Sequence, residues 1–271
     1  MRLLWIIGSF LLLAPLGRAS SFVAVSPSVI EFSLAPGKKA KGRIQIQNPL
    51  SEPAVITVSV SDGWRQETGS STLPPEKWLK FKIPKNLILP PLGKTTLFYR
   101  VHVPKDFTGE TMAHLMFRMP PQKQNQAGMS IQMGHAIPLY LIARGHEKVD
   151  LSFSKISASS LENHGLEFIV TLISTGNVHV RPRGDILLSN ADGLELERIA
   201  IENGPPILPN TTKQFFARSR LNRWVPGNYQ AHLDLSYRII GAELKTLSGD
   251  FEVGITSAGI RVVPQGAVPG L

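Results

Sequence analysis

The residue types that most often do chemistry in proteins are present in this chain, but their spacing forms no recognisable catalytic or metal-binding motif. The seven histidines are scattered with no pair at ligand spacing, and there is no cysteine. No nucleophile elbow, phosphate-binding glycine loop or His-Glu-x-x-His stretch occurs. The sequence therefore predicts a protein that is not an enzyme and that has no cofactor and no metal site. An exported enzyme with a triad assembled from distant residues stays open, without positive support.

One stretch has a pattern suited to binding another protein. After the polar loop at residues 122–128, apolar side chains recur at odd positions: Met129, Ile131, Met133 and Ile137. A strand of this kind can add to the sheet of a partner, where backbone hydrogen bonds give affinity and alternate side chains fill pockets. Methionine suits such a contact because it repacks easily. We predict that these four residues bind a partner, with Ser130, Gln132 and Gly134 facing away; an ordinary strand that faces its own core is the alternative.

The elements that would position this strand are themselves predicted to be β-strands. Polar and apolar residues alternate in 43–47, in 55–61 and, more loosely, in 96–103, which is the period of a sheet with one buried face. The 23 glycines and 21 prolines disfavour long helices. Short strands separated by turn residues are typical of β-sandwiches, so the sequence predicts an all-β fold.

An internal repeat indicates two such sandwiches. Ile-Leu-Pro at 88–90 is followed by Gly109 and Ala-His-Leu at 113–115, and the same order recurs at 207–209, Gly227 and 231–233. We predict two immunoglobulin-like β-sandwich domains, although similar strand chemistry alone could give the same pattern. The predicted divisions are a first domain at 22–144, a second at 147–255 and a flexible tail at 256–271.

The amino-terminal residues have the three parts of a secretory signal. Arg2 precedes an apolar run of 11 residues, Leu3 to Leu13, and small residues lead to Ala19. The run is too short for a membrane helix of about 20 residues. We therefore expect a cleaved signal peptide at 1–19, a periplasmic location and no transmembrane segment in the mature chain. The net charge of +9 is dispersed without stacking aromatics, so no nucleic-acid partner is predicted. A solvated basic surface is the expectation, and loose attraction to an anionic partner such as an acidic protein or lipid headgroups is the alternative.

The first domain resembles the pilus periplasmic chaperones, the PapD-like family, over about residues 22–144. The resemblance lies in Gly-Arg-Ile-Gln-Ile-Gln-Asn at 42–48, Ile-Leu-Pro-Pro at 88–91, Met-Pro-Pro at 119–121, the alternating triplet, and Ile-Pro-Leu-Tyr at 137–140. It implies two immunoglobulin-like domains whose alternating strand completes the fold of a pilus subunit. It also implies that the subunit is later released to an outer-membrane assembly platform.

The chain departs from that family at its two anchoring positions. The family holds the subunit's terminal carboxylate with an arginine on the first strand and a lysine on the last. Here Pro138 occupies the place of the lysine, and no Arg or Lys lies between Arg18 and Lys38. Pro138 also lacks a backbone donor, so we expect it to face an edge or a bulge.

The sequence thus predicts a chaperone-like protein that binds protein subunits of a pilus or another envelope structure. The alternative is a structural or adaptor component of a bacterial envelope assembly, with the immunoglobulin-like domains as spacers.

Overall fold

The chain forms two immunoglobulin-like β-sandwiches, in agreement with the predicted all-β fold. The computed structural model describes residues 22–68, 73–82, 84, 86–123, 130–161, 165–221, 224–241 and 243–271, without the side chains of residues 122, 123 and 131. The predicted signal peptide lies outside these residues. Within them, no helix has the length and apolar character needed to cross a membrane.

The first sandwich packs two sheets against each other. One sheet has the strand order β1-β3-β7-β5 and the other β2-β11-β8-β4-β6, while β9 and β10 form a separate hairpin. The strands are β1 (Ala24–Ser26), β2 (Ile30–Leu34), β3 (Lys39–Gln47), β4 (Ala54–Asp62), β5 (Leu79–Phe81), β6 (Leu87–Leu89), β7 (Lys94–His102), β8 (Glu110–Arg118), β9 (Gln122–Lys123), β10 (Ser130–Ile131) and β11 (Gly134–Ala143). A short helix, α1 (Gly63–Thr68), and a 3-10 turn (Pro75–Lys77) follow β4.

The core of this sandwich follows from the alternation seen in the sequence. Ile44 and Ile46 of β3 point inward and meet Leu97, Tyr99 and Val101 of β7, whereas the intervening residues face solvent. Burying such side chains contributes about 1.5–3 kcal/mol each. Two-residue periodicity therefore decides which face of each strand enters the core.

The second sandwich repeats this arrangement. Its sheets have the orders β12-β13-β16 and β15-β14-β17-β18-β19. The strands are β12 (Leu151–Ser160), β13 (Leu166–Ser174), β14 (Arg183–Asn190), β15 (Glu195–Ala200), β16 (Thr212–Arg218), β17 (Gly227–Tyr237), β18 (Lys245–Thr256) and β19 (Gly259–Gln265).

The internal repeat corresponds to equivalent strands in the two sheets. The order β11-β8-β4 of the first sandwich matches β18-β17-β14 of the second. The Ala-His-Leu segment lies in the central strand of each set, with Ala113, Leu115, Ala231 and Leu233 all buried. The shared sequence pattern therefore reports two copies of one strand arrangement.

The expectation of a flexible tail after residue 255 was wrong. Strand β18 continues to Thr256, and β19 pairs with it antiparallel from Gly259 to Gln265. Val268 is buried in the second core, and the Phe153 N–H donates a hydrogen bond of 3.0 Å to the carbonyl of Pro269. These apolar and backbone contacts hold the carboxyl-terminal residues in place.

The boundary near residue 145 stays a prediction that a fragment can test. We expect residues 20–145 to fold alone, because the core of the first sandwich is built almost entirely from residues 23–143. The fragment should show β-type circular dichroism and a cooperative melt, at a lower temperature than the full chain because contacts with the second sandwich are lost. A fragment that stays unfolded would show that the two sandwiches form one folding unit.

Candidate functional site

Strand β11 is paired differently along its two halves. Residues Leu139–Ala143 pair in parallel with β2 on one side, and Leu139–Ile142 also pair with β8 on the other. Residues Gly134–Pro138 pair only with β8, because β2 begins with Ile30 opposite Leu139. In the described part of the chain, the second edge of this outer half has no strand beside it.

The backbone groups on this open edge can be assigned from hydrogen bonds at the end of β11. The Ala143 N–H donates to the Gly109 carbonyl on the β8 side at 2.9 Å, and the Arg144 N–H donates to the Leu34 carbonyl on the β2 side at 2.8 Å. Since backbone groups alternate sides along a strand, even-numbered residues present theirs to the open edge. The edge therefore offers the N–H groups of Gly134 and Ala136.

Pro138 also lies at an even position, so its missing N–H falls on the edge and not in the ladder with β8. The sequence expectation that this proline would face an edge agrees with this geometry. The proline therefore costs no hydrogen bond within the sheet.

The two faces of β11 point to different parts of the molecule. Ile137, Leu139 and Leu141 belong to the first core, whereas Tyr140 and Ile142 pack with residues of the second sandwich. Ile137 is only 2% exposed. Its predicted role in partner binding is therefore not compatible with its position, because a side chain in the chain's own core cannot reach a partner.

The structure places the predicted triplet only in part. Met129 lies outside the described residues, and Ile131 pairs through its backbone with Gln122 in the β9–β10 hairpin. Met133 is partly exposed, and its carbonyl accepts a hydrogen bond of 3.1 Å from the Met119 N–H.

The register of the β9–β10 hairpin shows that one of its two arms contains an extra residue. Met119 is opposite Met133, but Gln122 is opposite Ile131, so the β8–β9 arm contains one extra residue. That arm contains Pro120 and Pro121, which fits a bulge. On the other arm Met133 lies two positions from Ile131, so no residue is inserted there.

The inner end of β11 is fixed by a buried ionic network at the junction of the sandwiches. His179 of the second sandwich is 3% exposed, and its Nδ1 lies 2.9 Å from both carboxylate oxygens of Glu110 at the start of β8. The His179 backbone N–H also donates to Glu110 at 2.7 Å. On its other side, His179 Nε2 lies 3.3 Å from Glu31 of β2, which also accepts a 2.7 Å hydrogen bond from Arg181. Tyr140 of β11 packs on the His179 ring at 4.2 Å between ring centres.

The charges of this network lower the pKa of Glu31 and raise the pKa of His179. The hydrogen bond from His179 lowers the pKa of Glu31 to about 2, assisted by Arg181 and opposed by burial. Burial disfavours protonated His179, but the charges and hydrogen bonds of Glu110 and Glu31 outweigh it and raise the pKa of His179 to about 9. At neutral pH the Glu31 carboxylate thus faces a protonated His179.

Sequence reasoning missed this network. Glu31, Glu110 and His179 are separated by 69 residues or more along the chain, so no local motif joins them. In the described residues no group of three or more His, Cys, Asp or Glu side chains is placed to hold a metal ion. Because Glu31 and Glu110 are already paired with His179 and Arg181, the network acts as a fixed contact between the sandwiches.

No protein-family model and no curated protein matches the chain. Among solved structures, the YadV chaperone is 12% identical with a TM-score of 0.45, covering 84% of this chain and 98% of that chain. The E. coli chaperone DraB is 11% identical with a TM-score of 0.42, covering 84% and 95%. The CsuC–CsuE chaperone–tip subunit complex from Acinetobacter baumannii gives 15% identity and a TM-score of 0.41, covering 84% and 97%. All three matches are to chaperones or a chaperone complex, and each has a TM-score below 0.5 with this chain.

The junction network predicts how stability depends on pH. Because the pKa of His179 is raised from 6.5 to about 9, its contribution is complete below pH about 6.5 and is lost as the pH rises through about 9. The shift corresponds to about 3 kcal/mol. Glu31 contributes in the opposite range, above pH about 4.5, and its contribution is lost as the pH falls through about 2. Denaturant unfolding between pH 6 and pH 10 would measure the His179 effect.

Replacing His179 with Ala should destabilise the protein by about 3–5 kcal/mol, because it leaves the fully buried Glu110 without its partner. The His232–Asp250 pair is the matched control, since its 2.7 Å contact has side chains that are 46% and 61% exposed. His232→Ala should change stability by less than about 1 kcal/mol. Equal effects of the two substitutions would show that the junction network does not stabilise the fold.

Proposed function

We propose that the chain is a periplasmic chaperone-like protein that binds protein subunits of a pilus or another envelope structure by adding a strand to β11. The observation that carries this proposal is the open edge at Gly134–Pro138, on a strand whose inner half is fixed on both sides. A partner strand laid along this edge would extend the sheet β2-β11-β8 over its missing part.

The geometry supports a contact made first through the backbone. The N–H groups of Gly134 and Ala136 face the edge and suit the carbonyls of an added strand, and each bond contributes about 0.5–1.5 kcal/mol net. Gly134 and Ala136 are exposed and small, so a partner can approach the strand closely. Such contacts bind segments of varied sequence, as a chaperone of several subunits requires.

Side-chain contacts would come from the apolar triplet that precedes β11. We propose that Met129, Ile131 and Met133 contact the partner. An added strand would then bring apolar partner residues over the end of the first core. Without the family's arginine and lysine, binding would depend on these backbone and apolar contacts and not on capture of a terminal carboxylate.

The cellular setting is part of the same proposal. Export by the signal peptide at residues 1–19 would deliver the protein to the periplasm, where it would hold subunits until an outer-membrane assembly platform takes them. The adaptor alternative is favoured by one observation, the buried network that fixes the two sandwiches to each other. A chaperone would be recovered in the periplasmic fraction and a spacer in the finished assembly, so fractionation of envelope preparations separates the two.

A proline at position 136 tests the open edge directly. Ala136→Pro removes an edge N–H that makes no bond to β8, so we expect a nearly unchanged melting temperature. Capture of envelope subunits should weaken at least about tenfold, because the hydrogen bond from this N–H to the added strand is lost and the bonds beside it are disturbed. His135→Pro is the control, because its N–H faces β8 and its loss should lower the melting temperature. Unchanged capture by a folded Ala136→Pro protein would contradict strand addition at this edge.

A charge in the triplet tests the apolar contact. Ile131→Asp should leave the melting temperature largely unchanged and weaken capture strongly, since an unpaired charge would enter an apolar pocket of the partner. Ile137→Asp is the comparison, because Ile137 is buried in the first core and its substitution should unfold the domain. If Ile131→Asp collapses the melt in the same way, the triplet belongs to the chain's own core and the adaptor function is favoured.

A further inference from the structure

The outer face of the sheet β1-β3-β7-β5 carries a concentration of positive charge that the proposed strand contact does not use. Basic side chains occupy exposed strand positions across three neighbouring strands: Lys39, Lys41 and Arg43 of β3, Lys94 and Arg100 of β7, and Lys80 of β5. The four strands of this sheet contain no Asp or Glu. We call this surface the basic face.

The register brings like charges directly opposite each other. Arg100 of β7 is paired with Lys41 on one side and with Lys80 on the other. Like charges in opposite positions of a ladder destabilise a sheet. No basic-face residue has an ion pair among the described residues. Lys80 Nζ donates a hydrogen bond of 3.4 Å to the backbone carbonyl of Glu76, but no carboxylate offsets the repulsion within the row, which suits contact with an anionic surface.

An exposed aromatic residue lies inside the basic face. Phe98 is 69% exposed although it is in the middle of β7, and it pairs with Arg43 of β3. Its neighbours Leu97 and Tyr99 point the opposite way into the core. A phenyl ring surrounded by cations suits the boundary between lipid headgroups and acyl chains, where the ring enters the apolar layer. The long Lys and Arg side chains then keep their charges at headgroup level.

We infer that the basic face binds the surface of a membrane containing anionic phospholipids. The charged positions lie in one sheet surface, so several can reach a planar layer of phosphates together, and Phe98 gives the face an apolar contact that charge alone does not explain. The open edge of β11 belongs to the opposite sheet of the sandwich. A membrane-bound molecule could therefore still bind a partner, and the inference does not depend on the proposed function.

The test uses the purified protein with vesicles of phosphatidylcholine, with or without phosphatidylglycerol, in a sedimentation assay. We expect binding only when phosphatidylglycerol is present, and loss of that binding at high salt. The triple variant Lys41→Gln, Lys80→Gln, Arg100→Gln should bind roughly a hundredfold more weakly, as expected for three basic contacts at a membrane surface. Its melting temperature should be unchanged or higher, because the row of like charges is removed.

The matched control removes the same charge from exposed positions of the second sandwich: Lys155→Gln, Arg238→Gln, Arg261→Gln. It should retain nearly all binding, and an equal loss in both triple variants would overturn the inference in favour of a general effect of net charge. Phe98→Ser should weaken vesicle binding but not binding to polyglutamate. If polyglutamate binds as tightly as the vesicles and Phe98→Ser has no effect, the basic face is a site for an acidic protein. The inference would also be overturned if vesicles with phosphatidylglycerol bound no more protein than vesicles of phosphatidylcholine alone.

Discussion

The arrangement of this molecule depends on the burial of Glu110 at the start of β8. Its side chain is fully buried, and an ionised carboxylate out of water costs several kcal/mol unless it is paired and hydrogen-bonded. His179 supplies both a charged ring and a backbone N–H, so the second sandwich must stay in contact with the first. The inner half of β11, which lies between β8 and β2 and stacks Tyr140 on His179, is thereby held in one position.

Local alternation was enough to predict the fold, because a strand with one buried face shows its period directly in the sequence. The Ala-His-Leu repeat even located the central strands β8 and β17. The same rule could have found β19, where Ile260 and Val262 alternate with exposed residues and pack on the second core. The prolines and glycines around residues 264–270 obscured that signal.

The candidate site was less predictable because it depends on pairings between distant segments. The open edge exists because β2 reaches only to Leu139 of β11, and no local pattern encodes the end of a parallel pairing over 100 residues away. The proline at 138 was a usable signal, since a missing N–H is tolerated only where it faces an edge. Ile137 was misassigned because a core strand and a partner-binding strand have the same two-residue period. The two differ only in whether another sheet of the same chain packs over the apolar face.

The two groups of charges follow opposite physical rules. At the junction, burial makes unpaired charge expensive, so Glu31, Glu110, His179 and Arg181 are matched within hydrogen-bonding distance. On the basic face, water and salt screen the repulsion, so the like charges of Lys41, Arg100 and Lys80 can stay side by side at small cost. Screening permits such a row, but it does not explain why Phe98 is exposed in the middle of it, since a polar residue there would avoid contact of the ring with water. A need for solubility would account for the row of charges but not for the exposed Phe98 within it. An anionic layer with an apolar interior accounts for both.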